Sequence, residues 1–167
     1  EHGKRPMLDP RISRLADVLI NYSCAVKPGE KVLLEAIDVP HEFTSEIVRT
    51  ARAAGAIPIV KLDSNQVKRA LLQAGTSEGW NLIADTEEGV MKKVQCYIGA
   101  RGNPNVSELS DVPRELQAIY EQTVWKRVHI EARVKGTRWV VLRWPTPSMA
   151  QMAEMSTEAF EDFYFNV

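Results

Sequence analysis

The sequence has few cysteines and no excess of charge of either sign. Among 167 residues only Cys24 and Cys96 are cysteines, and both lie in apolar stretches far apart in the chain. This spacing fits neither a disulfide framework nor a cysteine metal site, so we expect two buried, reduced thiols. The net charge of -1 lacks the basic excess that is typical of nucleic-acid-binding domains. We therefore expect no nucleic-acid partner.

Long apolar runs and targeting patterns are also missing. No run approaches the ~18–20 apolar residues of a membrane span, and no signal peptide is visible. We therefore expect a cytoplasmic protein without a membrane partner. Apolar residues make up 44% of the chain and charged residues 26%, which is typical of a globular domain. Because Met7 opens the run Met7-Leu8-Asp9-Pro10, we interpret residues 1–6 as a leader or expression remnant and residues 7–167 as one α/β domain.

Several catalytic and nucleotide-binding motifs are absent. The first strand is followed by Glu35-Ala36-Ile37-Asp38, where a dinucleotide-binding fold carries a glycine-rich turn. Carboxylates at that place repel phosphate. Neither a phosphate-binding GxxxxGK[ST] loop nor a GxSxG nucleophile turn occurs in the sequence. Nucleotide binding and serine-type hydrolysis are therefore not expected.

The three histidines do not form a metal-binding pattern. His2 lies in the interpreted leader, His41 in the first turn of a predicted helix and His129 on a long predicted helix. Glu131 is only two positions after His129, whereas helical metal ligands are three or four residues apart. We expect surface or helix-end positions for His41 and His129, and neither a metal nor a catalytic residue in this chain.

Alternating strands and helices predict the fold class. The β-runs are Lys31–Glu35, 57–62, 96–100 and 138–143, and helical patterns separate them. Asp9, Ser64 and Ser156 are predicted helix N-caps. Residues 77–94 are predicted to be helical in pieces, and one long helix is predicted over 113–134. This order predicts an α/β fold with a mostly parallel open sheet of about four or five strands and helices on both faces.

Polar residues follow the carboxyl ends of the predicted strands, where open parallel sheets bind ligands. They are Glu35 and Asp38, Lys61 and Asp63, Arg101 and Asn103, and Arg143 and Trp144. This mixed-sign edge is compatible with a small-ligand site, a solvated rim or a docking face.

Residues 139–156 are the least ordinary segment. A buried-type strand leads into Trp144-Pro145-Thr146-Pro147 and then into a stretch that contains Met149, Met152 and Met155. The two prolines fix the backbone and end strand pairing. The segment either forms a packing surface for another domain or packs inside this one. As a surface, it would make the isolated chain self-associate.

The run Arg143-Trp144-Pro145-Thr146-Pro147-Ser148-Met149-Ala150-Gln151 resembles the thermophilic metallo-aminopeptidases of the aminopeptidase T, aminopeptidase S and PepS type. Val26-Lys27-Pro28-Gly29-Glu30 and Ser110-Asp111-Val112-Pro113 also agree with their amino-terminal part, and the similarity covers nearly the whole chain from Met7.

The resemblance implies a cytoplasmic, homodimeric exopeptidase that removes amino-terminal residues from peptides. It implies two divalent metals, such as cobalt, zinc or magnesium, held by a carboxy-terminal catalytic domain that this sequence does not include. The chain is then the non-catalytic amino-terminal domain and inactive alone. Its interdomain or cleft-facing residues would be Trp144, Pro145, Thr146, Pro147, Met149, Met152, Arg101 and Asn103. The alternative is a self-contained module for oligomerisation or small-ligand binding.

Overall fold

A computed structural model describes residues 9–167, so residues 1–6 and His2 lie outside the described part of the chain. Four strands form one sheet: β1 (Lys31–Ile37), β2 (Ile57–Asp63), β3 (Cys96–Arg101) and β4 (Arg138–Arg143). Their order is β2-β1-β3-β4 and every neighbouring pair is parallel. The predicted fold class is therefore confirmed, with four strands.

Helices cover both faces of the sheet. In chain order they are α1 (Pro10–Asp17), α2 (His41–Ala53), α3 (Asn65–Ala74), α4 (Ser77–Met91), α5 (Arg114–Tyr120), α6 (Pro147–Met152) and α7 (Thr157–Asn166). Two π-helical segments extend them, π1 (Val18–Ser23) after α1 and π2 (Glu121–Val134) after α5. No helix among residues 9–167 is long and apolar enough to cross a membrane.

Each face of the sheet has its own apolar core. On the first face, Ile20 of π1 and Phe43 and Ile47 of α2 pack against Leu34 and Ile98. On the second face, α3, α4 and π2 pack against Leu33 and Tyr97 through a group that includes Leu72, Trp80, Ala84, Val124 and Val128. The alternation of side chains along each strand separates the two cores.

Local signals account for most helix boundaries. Asp9, Ser64 and Ser156 accept backbone N–H groups at the starts of α1, α3 and α7, as predicted. Gly55 follows α2 with a φ of 78°, a left-handed conformation that suits glycine. The prediction for residues 77–94 was wrong, because α4 is one uninterrupted helix that Trp80, Ala84 and Met91 anchor to the second core.

The two outer strands leave the sheet edges open. Pro58 is the second residue of the edge strand β2. The N–H of Ile57 donates to the carbonyl of Glu30, so the backbone of Ile57 faces β1. Because alternate residues of a parallel strand face opposite neighbours, Pro58 faces away from β1. The missing donor of Pro58 therefore falls on the free side of the strand.

The loops after β1 and β3 are in close contact. The Gly102 N–H donates to the Ile37 carbonyl at 2.7 Å, and a Cβ at Gly102 would lie 1.9 Å from the Asp38 carbonyl oxygen. Asp38, with a φ of 49°, accepts the Asn65 N–H at 2.9 Å. A backbone hydrogen bond and the close approach of the two loops thus hold the carboxyl ends of β1 and β3 together.

We expect Gly102→Ala to destabilise the chain by about 1–3 kcal/mol, because the added methyl group overlaps backbone. Gly89→Ala is the matched control, since a Cβ there meets nothing within 4 Å and lies in the interior of α4. It should stabilise the chain by about 0.5–1 kcal/mol. Urea unfolding of the three proteins measures both effects, and equal stabilities for the two variants would contradict the close contact.

Candidate functional site

A cavity of about 510 Å³ opens on the second face of the sheet, at the carboxyl ends of the strands. Residues at the carboxyl ends of β1, β2, β3 and β4 line one side of it, and α3, α4, α5, π2 and the loop 102–109 line the rest. Polar lining residues are Glu35, Lys61, Asp63, Asn65, Lys68, Glu87, Arg101, Asn103, Asn105, Glu108, His129 and Arg143. The predicted polar edge therefore includes a real concavity, of a size usual for small-molecule sites.

A buried carboxylate lines the cavity. Glu35 is only 5% exposed, and it lies inside β1 rather than at its end as predicted. Tyr97 donates its hydroxyl to Glu35 Oε2, and Lys61 Nζ donates to Glu35 Oε1 at 3.2 Å. Arg133 Nη2 lies 3.6 Å from Glu35 Oε2, and its guanidinium carbon lies 3.6 Å from the centroid of the Tyr97 ring. Two cations and a hydroxyl thus compensate one buried charge.

These contacts keep the carboxylate ionised. Burial alone would raise the pKa of Glu35, but Arg133, the hydrogen bond from Tyr97 and the charge of Lys61 outweigh it and hold the pKa at about 2. Lys61 also binds Glu87, at the wall of the cavity, and lies 4.0 Å from Asp63. The carboxylates on this side of the cavity are therefore engaged by one lysine.

His129 lines the cavity rather than lying on the surface or at a helix end, so that prediction was wrong. It is in the middle of π2, and its Nδ1 contacts Nη1 of Arg133 one turn later. Burial and then the charge of Arg133 lower the pKa of His129 to about 3, so the ring is neutral. His41 is exposed at the first turn of α2, as expected.

Arg101 and Arg143 form the opposite rim. The two residues are paired in register at the ends of β3 and β4 and both line the cavity. Asn103 lies beside them, and its backbone carbonyl accepts the hydroxyls of Thr146 and Ser148. The predicted residues Arg101 and Asn103 thus belong to the cavity.

The segment 144–155 is divided between the core and the surface. The half-buried Trp144 packs on the first core, with its ring 4.6 Å from that of Phe43 and 6.0 Å from that of Phe165. Pro145 and Thr146 are buried, and Thr146 caps α6. Pro147 is exposed, Met149 is half-buried, and Met152 is 63% exposed. None of residues 144–155 lines the cavity, although Thr146 and Ser148 donate hydrogen bonds to the carbonyl of Asn103, which does.

Both cysteines are free and buried, as predicted. The Cys96 thiol contacts the Cys24 carbonyl at 3.8 Å, and burial raises the pKa of Cys24 to about 12. A thiol that stays protonated and enclosed is a poor nucleophile.

The model of the thermophilic metalloprotease family (M29) matches residues 8–167. The chain belongs to this family, which confirms the predicted resemblance. No curated protein matches the sequence.

Two solved structures give the extent of the structural similarity. Wild-type AmpT from Thermus thermophilus superposes with a TM-score of 0.66 at 16% sequence identity, over 83% of this chain and 36% of that chain. At this identity the similarity concerns the fold, and the chain spans about a third of the length of AmpT. The crystal structure of CurK enoyl reductase superposes with a TM-score of only 0.36 at 10% identity, over 98% of this chain and 52% of that chain, which carries no argument.

The donors around the cavity do not fit the divalent metals that a metalloprotease family implies. Across residues 9–167, no three His, Cys, Asp or Glu side chains are grouped closely enough to hold a metal ion. Glu35 and Glu87 bind Lys61, and His129 contacts Arg133. Positive side chains thus occupy the positions at which a cation would need free carboxylates and imidazoles.

The neutral His129 predicts a pH dependence of stability. The pKa of His129 is about 3 in the folded chain and 6.5 as a free side chain. The unfolded chain therefore binds a proton more readily, so the contribution of His129 to the free energy of unfolding is highest above pH 6.5 and falls as the pH is lowered from 6.5 to 3. His129→Gln should reduce the slope of unfolding free energy against pH by at most about 1.4 kcal/mol per pH unit.

Urea unfolding between pH 6.5 and 5 measures this slope. In that range Glu35 contributes little, because its reference pKa is 4.5 and its folded pKa about 2. His41→Gln, at an exposed position, is the control. An unchanged slope in His129→Gln would mean that the ring is charged in the folded chain.

Proposed function

We propose that the chain is the non-catalytic amino-terminal domain of a metal-dependent aminopeptidase that removes amino-terminal residues from peptides. The observation that carries the proposal is the family match over residues 8–167, combined with a fold that superposes on about a third of AmpT. The family is one of metalloproteases, whereas Glu35 and Glu87 of this cavity are engaged by Lys61, and His129 by Arg133.

The intact enzyme would hold its two divalent metals, such as cobalt, zinc or magnesium, in a carboxy-terminal domain. Carboxylates and histidines of that domain would be the ligands, and the enzyme would act as a cytoplasmic homodimer. The present chain would contribute a wall of the substrate cleft and a surface for the catalytic domain.

The exposed part of the segment 144–155 is our proposed contact with that catalytic domain. Met152 is 63% exposed and Met155 is 36% exposed, and both follow the rigid Trp144–Pro147 turn. Methionine and aromatic residues are enriched in interfaces, since they are polarisable and bury much apolar area. Trp144 contributes indirectly, because its contacts with Phe43 and Phe165 fix the position of this segment.

A self-contained module for oligomerisation or small-ligand binding is the second candidate. The cavity favours this role, as do Arg101 and Arg143, which have no carboxylate partner within residues 9–167, because a site of this size needs no further domain to bind a small molecule. The two functions differ in what they require: the aminopeptidase role needs a second domain and the module does not.

We expect the 167-residue chain to hydrolyse no leucyl-chromophore substrate in the presence of cobalt or zinc. The protein expressed from the complete open reading frame should hydrolyse it, and a chelator should abolish that activity because the metals activate water. Chelator-sensitive turnover by the highly purified 167-residue chain would show that this domain is catalytic. A complete gene product with the mass of this chain and no activity would favour the self-contained module.

Two substitutions separate packing from docking. Trp144→Glu should destabilise the chain by about 2–4 kcal/mol, because it removes ring contacts to Phe43 and Phe165 and buries a charge. Met152→Glu should leave the melting temperature unchanged, since its side chain is mostly exposed. If the exposed part of the segment 144–155 is a contact surface, sedimentation should show self-association of the isolated wild-type chain and weaker association of Met152→Glu. A monomeric wild type, or self-association of Met152→Glu equal to that of the wild type, argues against docking at this segment.

A further inference from the structure

We propose that the cavity binds a small monoanionic ligand, whose carboxylate lies between the guanidinium groups of Arg101 and Arg143. The two residues are neighbours in register on parallel strands, so their backbones are about 4.8 Å apart. They are on the same face of the sheet, and both line the cavity. Two planar guanidinium groups at this spacing suit a carboxylate, which accepts hydrogen bonds at both oxygens.

Neither arginine has a carboxylate partner among the described residues. The other cavity cations do have partners: Lys61 binds Glu35 and Glu87, and Lys68 contacts the hydroxyl and ring of Tyr120. The Nε of Arg101 is buried and makes no hydrogen bond within residues 9–167. A buried donor without a partner costs free energy, and a bound anion would supply the missing acceptor.

The acidic residues of the cavity are engaged elsewhere. Lys61 holds Glu35 and Glu87 and lies near Asp63, and Glu108 accepts the side-chain amide of Asn105 at 3.2 Å. Arg101 and Arg143 are therefore cavity cations without a carboxylate partner within residues 9–167.

The same acidic residues limit the charge of the ligand. Four carboxylates line the cavity, and they would repel a dianion more strongly than a monoanion. A carboxylate is therefore favoured over phosphate.

The rest of the cavity suits an apolar side chain. Leu71 and Trp125 line it and are 46% and 47% exposed, and Val124 is buried beneath them. The geometry would thus accept a small acid with an aliphatic or aromatic group, such as an N-blocked amino acid. This site would exist whether or not the chain serves an aminopeptidase.

The test is a titration of the isotopically labelled chain with N-acetyl-leucine, observed through the arginine Nε–Hε signals by NMR. We expect saturable shifts of the Arg101 and Arg143 signals. N-acetyl-leucinamide, which has the same apolar group and no carboxylate, should produce none. Inorganic phosphate should bind more weakly than N-acetyl-leucine.

Three variants assign the effect to the arginine pair. Arg143→Gln, at an exposed position, should weaken N-acetyl-leucine binding by about tenfold or more. Arg101→Lys keeps the charge but loses the planar guanidinium group and its paired N–H donors, so it should also weaken N-acetyl-leucine binding. Arg52→Gln, on the exposed surface of α2, is the control and should bind like the wild type.

Melting temperatures near the wild-type value would confirm that Arg143→Gln and Arg52→Gln are folded. The proposal is overturned if N-acetyl-leucine does not bind, if its amide binds equally well, or if phosphate binds more tightly. It is also overturned if Arg143→Gln and Arg52→Gln bind alike.

Discussion

A single buried carboxylate constrains both the sheet and the helical layer above it. Glu35 can remain charged in β1 only because Lys61 on β2, Tyr97 on β3 and Arg133 on π2 all reach it. Removing one partner of such a group leaves an uncompensated charge, which is far costlier than losing a surface ion pair. Glu35 and Lys61 are also paired in register, so a slip of one residue would separate them onto opposite faces. The cluster therefore fixes which strands are neighbours and where π2 lies.

Local features of the sequence were enough to predict the fold class and most element boundaries. Asp9, Ser64 and Gly55 act through hydrogen bonds or backbone conformations within a few residues, so their roles can be inferred without distant partners. The end of β1 could not be inferred in this way. Glu35 interrupts an apolar run and resembles a strand end, and only partners 26 and 62 residues further along the chain explain its burial.

The sequence predicted which strand ends meet at the candidate site, but not the burial of Glu35 or the position of His129. The carboxyl ends of parallel strands predicted Arg101 and Asn103, because topology brings those ends together. Metal-ligand spacing in the sequence does not reveal the position of His129, because the partner of His129 is Arg133, a cation that is not a metal ligand. Arg133 is only 3% exposed and lies beside Glu35, and this burial is visible in the structure but not in the sequence. Trp144 was ambiguous because Phe43 and Phe165 are distant in sequence.

The proline in β2 makes the two edges of the sheet unequal in their capacity to pair with a further strand. An additional strand beside β2 would face Pro58, which has no backbone N–H, and one inter-strand hydrogen bond could not form there. On the other side, Arg138 and Trp144 donate inward to Gln95 and Arg101, so the N–H groups of Trp139, Val141 and Arg143 point outward. Lateral growth of this sheet, by another segment or another molecule, is therefore favoured at β4 over β2.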